Sequence, residues 1–208
     1  MSTSTDQGSA DGAYHHGNLR EALLGLAVET LSDSGVEQLS LRAMARELDV
    51  SHAAPLRHFK TKADLLNAIA VEGVKSLLAA TSAAAADQPS GVRRLRHMAL
   101  AYVDWAREHA AFHRVIRNPE VMRHATAPLH EMLAEFASLQ RREISAAQGQ
   151  GWRADADADV LFVHLVSLTA GTAIVATDAM YQAPMGAATS REALTASLDL
   201  FLSDRSSS

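Results

Sequence analysis

Three aspartates at alternate positions, Asp155, Asp157 and Asp159, come closest to a metal-binding pattern in this sequence. Carboxylates spaced in this way begin a calcium-binding loop, which also requires glycine at its sixth position and glutamate at its twelfth. Those two positions hold Val160 and Val166. The acids are instead expected near the N-terminus of a helix, where the helix dipole favours negative charge. We therefore predict no metal at this place.

Histidines could also bind a metal or transfer protons. His109 and His113 are four residues apart, which would let both bind zinc from one helix, but the sequence places no third ligand near them. His164 lies in an apolar stretch and is expected to be a core or interface residue, with contact to a ligand as the alternative. The chain contains no cysteine, which excludes disulfides and thiolate metal sites. It also lacks a nucleophile elbow, a phosphate-binding glycine loop and paired carboxylates, so we predict neither an enzyme nor a cofactor.

The elements that position these side chains are predicted to be helices throughout. Alanine, leucine, arginine and glutamate are abundant and favour helix. Apolar residues recur at helical spacing from Leu19 onward, and no segment has convincing strand character. Residues 1–13 are rich in Ser, Thr, Gly and Asp and are predicted to be a disordered tail.

Two short helices joined by a tight turn are predicted after the first long helix. Ser40 is placed to cap one of them, about residues 41–48, and Ser51 to cap the other, about His52 to Phe59. The turn needs a residue that tolerates a left-handed backbone, and Asp49 tolerates it less well than glycine would. This arrangement is that of a helix-turn-helix.

The residues of this segment resemble a known family. From Leu39 to Leu66 the chain reads LSLRAMARELDVSHAAPLRHFKTKADLL, which resembles the DNA-binding domain of the TetR family, and the segment 14–20 resembles the start of one of its subgroups. The resemblance covers about residues 14–75. Two positions depart from the family pattern: Asp49 replaces a usual glycine, and Leu56 replaces an aromatic residue whose hydroxyl contacts a phosphate in the family. One phosphate contact fewer per half-site is therefore expected.

The resemblance implies a fold and a domain organisation. We expect an all-α chain with an N-terminal three-helix helix-turn-helix domain at residues 14–62. A larger C-terminal helical domain for ligand binding and dimerisation is expected at residues 63–205. This C-terminal part is similar to the family only in the number and order of its helices.

Chemistry and resemblance together predict the residues that contact DNA. Arg42 can reach a guanine edge with two hydrogen bonds or bind a phosphate, and the alanines at the start of the recognition helix suit thymine methyl groups. The predicted DNA-binding residues are Ser40, Arg42, Ser51, His52, Ala53, Ala54, Arg57, His58 and Lys62. The alternative is that Arg42 and Arg57 are ordinary solvated charges. The chain has a net charge of -5, and residues 14–62 are formally neutral, which makes them its least acidic part and is weak support for a DNA face.

Methionines and aromatic residues in the middle helices suit an adaptable apolar cavity. The resemblance places a ligand pocket there, and the predicted pocket residues are Met98, Tyr102, Trp105, Phe112, Met122, Met132, Phe136 and His164, each with plain core as its alternative. The segment from Asp159 to Met180 is apolar nearly all round, which is typical of a helix buried on every side. With the last helix it is predicted to form a two-fold interface through Leu161, Leu165, Leu168, Gly171, Val175, Leu194, Leu198 and Phe201.

The resemblance implies a ligand-responsive transcriptional repressor. It would bind a palindromic operator in double-stranded DNA as a homodimer and be released by a small, largely apolar effector. The alternatives are an activator, or a protein–protein adaptor without an inducer, which Leu56 and the neutral segment 14–62 favour. No secretory signal and no uninterrupted membrane-length apolar run occur, so a cytoplasmic protein without a membrane partner is expected.

Overall fold

The computed structural model describes residues 19–203, apart from the side chain of Ala187. All regular elements in these residues are helices, which confirms the predicted all-α class for this part of the chain. The chain divides into two compact units between Leu65 and Leu66. The predicted tail (1–13), residues 14–18 and residues 204 and 205 lie outside the described residues.

The first unit is built from short helices that follow one long one. It contains α1 (Leu19–Asp33), a 3₁₀ turn (Val36–Gln38), α2 (Leu41–Glu47) and a second 3₁₀ turn (Pro55–Arg57). Ser40 caps α2 as predicted, because its side chain accepts a hydrogen bond at 3.4 Å from a backbone amide three residues later. This cap fixes where the supporting helix of the helix-turn-helix begins.

The segment predicted as the second helix of the motif, His52–Phe59, is not an α-helix. Its first three residues form a turn, and the next three, Pro55–Arg57, form a 3₁₀ helix. The Arg57 amide donates to the carbonyl of Ala54 at 3.2 Å, which is 3₁₀ bonding. Proline has no N–H, so the α-helical bond to the carbonyl four residues earlier cannot form at this position. We call residues 51–59 the recognition segment.

Helix α3 (Lys62–Ala85) begins with a reciprocal capping box. The Thr61 amide donates to Asp64 Oδ2 at 2.9 Å, and the Asp64 amide donates to Thr61 Oγ1 at 3.1 Å. Two backbone donors at the helix start are thereby satisfied. Because the division between the units falls after Leu65, α3 contains residues of both.

The second unit is a helical bundle in which α4 contacts α7, α8 and α10. Its helices are α4 (Val92–Glu108), α5 (Ala110–Ile116), α6 (Pro119–Arg123), α7 (Ala127–Gly149), α8 (Ala158–Thr177), α9 (Ala179–Met185) and α10 (Arg191–Leu202), with a 3₁₀ turn (Gly186–Thr189) before α10. The side chains of Asn118, Asp157 and Ser190 cap α6, α8 and α10. The aspartate cluster therefore lies at a helix N-terminus, as predicted.

A buried carboxylate joins the start of α4 to α7. Burial alone would raise the pKa of Glu143, but donors from Ser90, Gly91 and Arg94 lower it overall. These are the Ser90 hydroxyl at 2.7 Å, the Gly91 amide at 2.9 Å and the Arg94 guanidinium at 3.2 Å. The loop before α4 is thus fixed by a carboxylate whose hydrogen bonds are satisfied inside the unit.

Helix α8 departs from its prediction in two ways. It ends at Thr177 rather than continuing to Met180, because Asp178 accepts a hydrogen bond at 2.9 Å from the Met180 amide and thereby caps α9. It is also not buried on every side: Val160 is 62% exposed and Val163 is 60% exposed. By length and composition alone, α3 and α8 could cross a membrane, but α8 packs against α4 and α7 in this bundle.

Candidate functional site

The helix-turn-helix is held together by small and apolar residues on its inner side. Ala45 of α2 is fully buried, and its carbonyl accepts a hydrogen bond from the Val50 amide at 2.9 Å. Pro55 and Phe59 of the recognition segment are also buried. Between the two elements, Asp49 adopts a left-handed backbone with φ of 51°, as predicted. The chain can therefore turn tightly enough to place α2 and the recognition segment side by side.

The outer side of the motif carries the predicted DNA-binding residues. The exposed ones are Ser40, Arg42, Ser51, His52, Ala53, Arg57 and His58, whereas Ala54 and Lys62 are half-buried. Residues 40–62 contain five Lys or Arg and two Asp or Glu, for a formal charge of +3. The neutral balance of the longer segment 14–62 thus conceals a positive stretch, which is the usual electrostatic footprint of a DNA-binding surface.

Two cations near this surface also have partners within the unit. Lys62 Nζ donates to the carbonyl of Glu37 at 3.4 Å. The Arg20 guanidinium lies 5.7 Å from the ring centre of the buried Phe59, where a cation–π interaction is favourable. Leu56 is 50% exposed on the recognition segment and offers no polar group for a phosphate.

We expect the left-handed backbone conformation at Asp49 to affect the free energy of unfolding. Asp49→Gly and Asp49→Ala both remove the carboxylate, so any difference between them reports the cost of the left-handed conformation. The glycine variant should be more stable than the alanine variant by about 1 kcal/mol in urea unfolding. Equal stability of the two variants would show that the turn does not hold this conformation in solution.

An apolar cavity of about 210 Å³ lies inside the second unit. Of the predicted pocket residues, Tyr102 and Phe136 line it, with their rings stacked at 14° and 6.4 Å between centroids. Sequence reasoning did not assign Leu77, Ile116 and Phe162 to the pocket, although all three line it. Four helices, α3, α4, α7 and α8, thus contribute walls, together with Ile116 at the end of α5.

The other predicted pocket residues do not line this cavity. Met98 and Trp105 are core residues, and the Trp105 indole N–H donates to the Ser76 hydroxyl at 3.0 Å. Phe112 packs against the core from α5. His164 is exposed on α8 and stacks on Phe201 with 4.8 Å between ring centroids, and it is not among the residues that line this cavity. Met122 and Met132 are half-buried elsewhere.

Tyr102, which lines the cavity, is paired with the buried His113. Tyr102 Oη lies 3.2 Å from His113 Nε2, within hydrogen-bonding distance. Burial raises the pKa of Tyr102, so its hydroxyl stays protonated. Burial, together with the positive charge of Arg117, lowers the pKa of His113 to about 4. Both groups are therefore neutral at neutral pH. His109, the predicted companion of His113, lies between α4 and α5, and no group of three metal-ligating side chains occurs within residues 19–203.

The buried histidine makes stability depend on pH in a defined direction. The pKa of His113 is about 4 in the folded chain against an ordinary value of 6.5, so protonation between these values favours the unfolded chain. Its contribution is complete above pH 6.5 and decreases as the pH falls towards 4, with a loss of about 2 kcal/mol at pH 5. Urea unfolding at pH 7 and pH 5 should show this loss for the wild type but not for His113→Phe. The exposed His124→Phe is the matched control and should behave as the wild type does; a parallel pH dependence of all three proteins would contradict the assignment.

An apolar stripe is exposed along α8. Val160, Val163, His164, Ser167 and Gly171 recur at helical spacing, and all but Gly171, which is half-buried, are exposed. A Cβ built on Gly171 would meet no atom within 4 Å, so the space beside it is open. Leu168 and Phe201 border a groove beside this stripe, together with Leu200, which is 77% exposed. We call this surface the α8 stripe.

Half of the residues predicted for the two-fold interface are buried within the single chain. Leu161, Leu165, Leu194 and Leu198 are each at most 7% exposed, because they form the core between α8, α10 and their neighbours. They are therefore unavailable to a second chain. Leu168, Gly171, Val175 and Phe201 are half-buried. Sequence reasoning missed Val160 and Val163, whose spacing of three residues was visible but lay in a uniformly apolar stretch.

Comparison with known proteins agrees with this description. Residues 23–69 match the family described as bacterial regulatory proteins, tetR family. A solved protein of unknown function from Rhodococcus sp. RHA1 is 34% identical, with a TM-score of 0.76, over 92% of this chain and 97% of its own. A bacterial regulatory protein in the tetR family from Rhodococcus RHA1 is 25% identical, with a TM-score of 0.69, over 88% of this chain and 94% of its own. Nucleoid occlusion factor SlmA of Haemophilus influenzae is 25% identical over 73% of this chain and 72% of its own.

Proposed function

This chain belongs to the TetR family of bacterial regulatory proteins, and on that premise we propose that it is a transcriptional repressor. It binds a palindromic operator as a homodimer and leaves the operator when a small, largely apolar effector binds. The family consists of non-enzymatic DNA-binding regulators, and we place this member in the cytoplasm. The observation that carries the proposal is the exposed, positively charged side of the helix-turn-helix, residues 40–62.

The geometry of the motif supports a role for Arg42 and the recognition segment in reading bases. Helix-turn-helix proteins place a recognition element in the major groove and contact base edges with its first residues. Here those residues are Ser51, His52 and Ala53, all exposed. Arg57 and His58 follow on the same segment and would bind phosphates, which fixes the register on DNA. Ala54 is half-buried and contributes less to this surface.

The α8 stripe supports dimerisation by a second copy of the chain. An exposed row of valines is unfavourable in water and becomes buried when two copies of α8 pack across a two-fold axis. Ser167 and Gly171 are small, and the open space beside Gly171 would let two helices approach closely. The exposed Leu200 of α10 would extend the same interface. A two-fold dimer requires two half-sites related by the same symmetry, hence a palindromic operator.

The contacts around α3 support a route from the cavity to the DNA-binding unit. Helix α5 approaches α3 closely at Gly73, where a Cβ would lie 3.0 Å from Phe112 Cδ1 and 3.1 Å from Ile116 Cδ1. Ile116 and Leu77 line the apolar cavity. An effector that moves either residue therefore acts on α3, whose first residues belong to the unit that carries the recognition segment. A ligand releases DNA only if it binds the DNA-incompetent conformation more tightly. A typical coupling of about 1–3 kcal/mol would lower operator affinity roughly 5- to 150-fold.

Selection of bound sequences from random double-stranded DNA tests the proposal. We expect enrichment of an imperfect palindrome whose half-sites are separated by about one helical turn or a multiple of it. The affinity for that sequence should fall steeply and linearly on a logarithmic scale as salt is increased, because phosphate contacts release counterions. Failure to enrich any sequence, or an affinity insensitive to salt, would contradict the repressor and favour an adaptor.

A further inference from the structure

A second cavity, of about 320 Å³, lies beside the apolar one. Its walls include His113, Arg114 and Arg117 of α5 and its C-terminal end, and Thr177 and Asp178 at the end of α8. We call it the basic cavity. Ligand pockets typically measure roughly 300–1,000 Å³. The apolar cavity is smaller than this range, whereas the basic cavity falls within it.

The two cavities follow each other along α8. Thr169 and Ala170 line the apolar cavity, and Ile174 and Thr177 line the basic one, at helical spacing along the same helix. The hydrogen-bonded pair of Tyr102 and His113 stands between them: Tyr102 is a wall of the first cavity and His113 a wall of the second. A ligand that reached both would therefore meet a protonated phenol hydroxyl at the boundary.

The charges of the basic cavity favour one negative charge. Arg114 and Arg117 are exposed, and neither forms an ion pair or a side-chain hydrogen bond with any residue of the described range 19–203. The carboxylate of Asp178 is engaged, because it accepts the Met180 amide at 2.9 Å. With His113 neutral, two guanidinium groups and one carboxylate leave a single excess positive charge. Arg117 also disfavours positive charge at His113 and opposes the rise in the pKa of Tyr102 that burial causes, so its charge acts on both members of the pair.

We propose that the effector is an amphipathic monoanion whose apolar body fills the apolar cavity and whose carboxylate binds Arg114 and Arg117. This rests on the proposed function only in calling the ligand an effector; the binding site itself does not depend on DNA. Charge-assisted hydrogen bonds between guanidinium and carboxylate groups are strong and directional. The body remains largely apolar, as its surroundings of Leu77, Phe136 and Phe162 require.

The test compares two probes that differ only in the head group, octanoate and octanol, by calorimetry on the full chain without DNA. The wild type should bind octanoate at least tenfold more tightly than octanol. The double variant Arg114→Gln/Arg117→Gln should lose at least tenfold in octanoate affinity and change octanol affinity by less than twofold. Arg114→Lys/Arg117→Lys keeps the charges and should retain most of the affinity. Arg107→Gln, an exposed residue of α4 outside both cavities, is the charge-matched control and should leave both affinities unchanged.

Several results would overturn the inference. These are the absence of octanoate binding at millimolar concentration, equal binding of the two probes by the wild type, and equal loss of both probes in the glutamine variant. Octanoate binding that leaves operator affinity unchanged would instead contradict the proposed release from DNA while the site stands. Failure of the DNA selection would likewise contradict the repressor alone.

Discussion

Arg42→Ala should weaken binding to the selected operator by at least about 30-fold. A base-contacting arginine contributes roughly 1–3 kcal/mol per half-site, and a dimer loses this contribution twice, for a total of about 2–6 kcal/mol. Every 1.4 kcal/mol corresponds to about tenfold in affinity. The reason is structural: Arg42 is exposed in the first turn of α2, directly after the Ser40 cap, and makes no contact that the fold needs. Fluorescence anisotropy with labelled operator DNA measures the change.

The specificity of this loss separates a base contact from simple attraction by charge. Arg107→Ala removes the same charge from an exposed position on α4 and should change operator affinity by less than threefold. Operators with a changed base pair at one symmetric position should be discriminated by the wild type but not by Arg42→Ala. An Arg42→Ala protein that binds and discriminates as the wild type does would remove this residue from the DNA surface.

Val163→Asp should convert the dimer to a monomer and lower operator affinity by at least 100-fold. In a two-fold interface on the α8 stripe, each new carboxylate would be buried against apolar atoms of the other chain, which is costly without a partner. Loss of the dimer separates two linked half-site interactions, and such linkage typically increases affinity roughly 10²- to 10⁴-fold. Analytical ultracentrifugation at micromolar concentration and operator binding measure the two effects.

The same substitution on another exposed apolar residue provides the comparison. Met180 of α9 is 72% exposed, and Met180→Asp should remain dimeric with unchanged operator affinity. Because Val163 is 60% exposed in the single chain, Val163→Asp should retain its helical circular dichroism. A Val163→Asp protein that sediments as a dimer would exclude the α8 stripe as the interface.

The starts of several helices could be predicted from the sequence because a cap is a local feature. Ser40, Asn118 and Ser190 each accept a hydrogen bond from a backbone amide two or three residues later. Thr61 and Asp64 form a reciprocal pair at residue types and a spacing that define a capping box. Such bonds depend on neighbours in the chain alone, so the residue types and their spacing are sufficient.

The recognition segment could not be predicted in the same way. Pro55 removes one α-helical hydrogen bond, but proline is also compatible with the first turn of an α-helix, so it does not by itself predict a 3₁₀ turn. Pro55 and Phe59 are both buried, so the segment must also satisfy the packing of the first unit. Tertiary packing of this kind decides the geometry of short segments, and local residue types do not reveal it.

The sequence pattern also could not show which apolar residues of α8 are buried or which residues line the cavity. A helix that is apolar on nearly all sides has no periodicity to distinguish its inner from its outer face, so Leu161 and Val160 could not be separated. In α4, Met98 and Trp105 share the spacing of Tyr102 yet are core residues, whereas Tyr102 reaches the cavity. Which of several equivalent apolar residues borders an empty space depends on the volumes contributed by the facing helices.

The recognition segment contains both buried and exposed residues. Pro55 and Phe59 face inward, whereas His52, Ala53 and Arg57 are exposed. Exposed substitutions away from caps and packed positions usually change stability by less than about 0.5 kcal/mol. Under the proposed function, substitutions at the outward residues would therefore change the preferred operator sequence with little loss of stability. The outward residues can thus change in evolution, whereas the inward Pro55 and Phe59 must be retained for the segment to keep its fold.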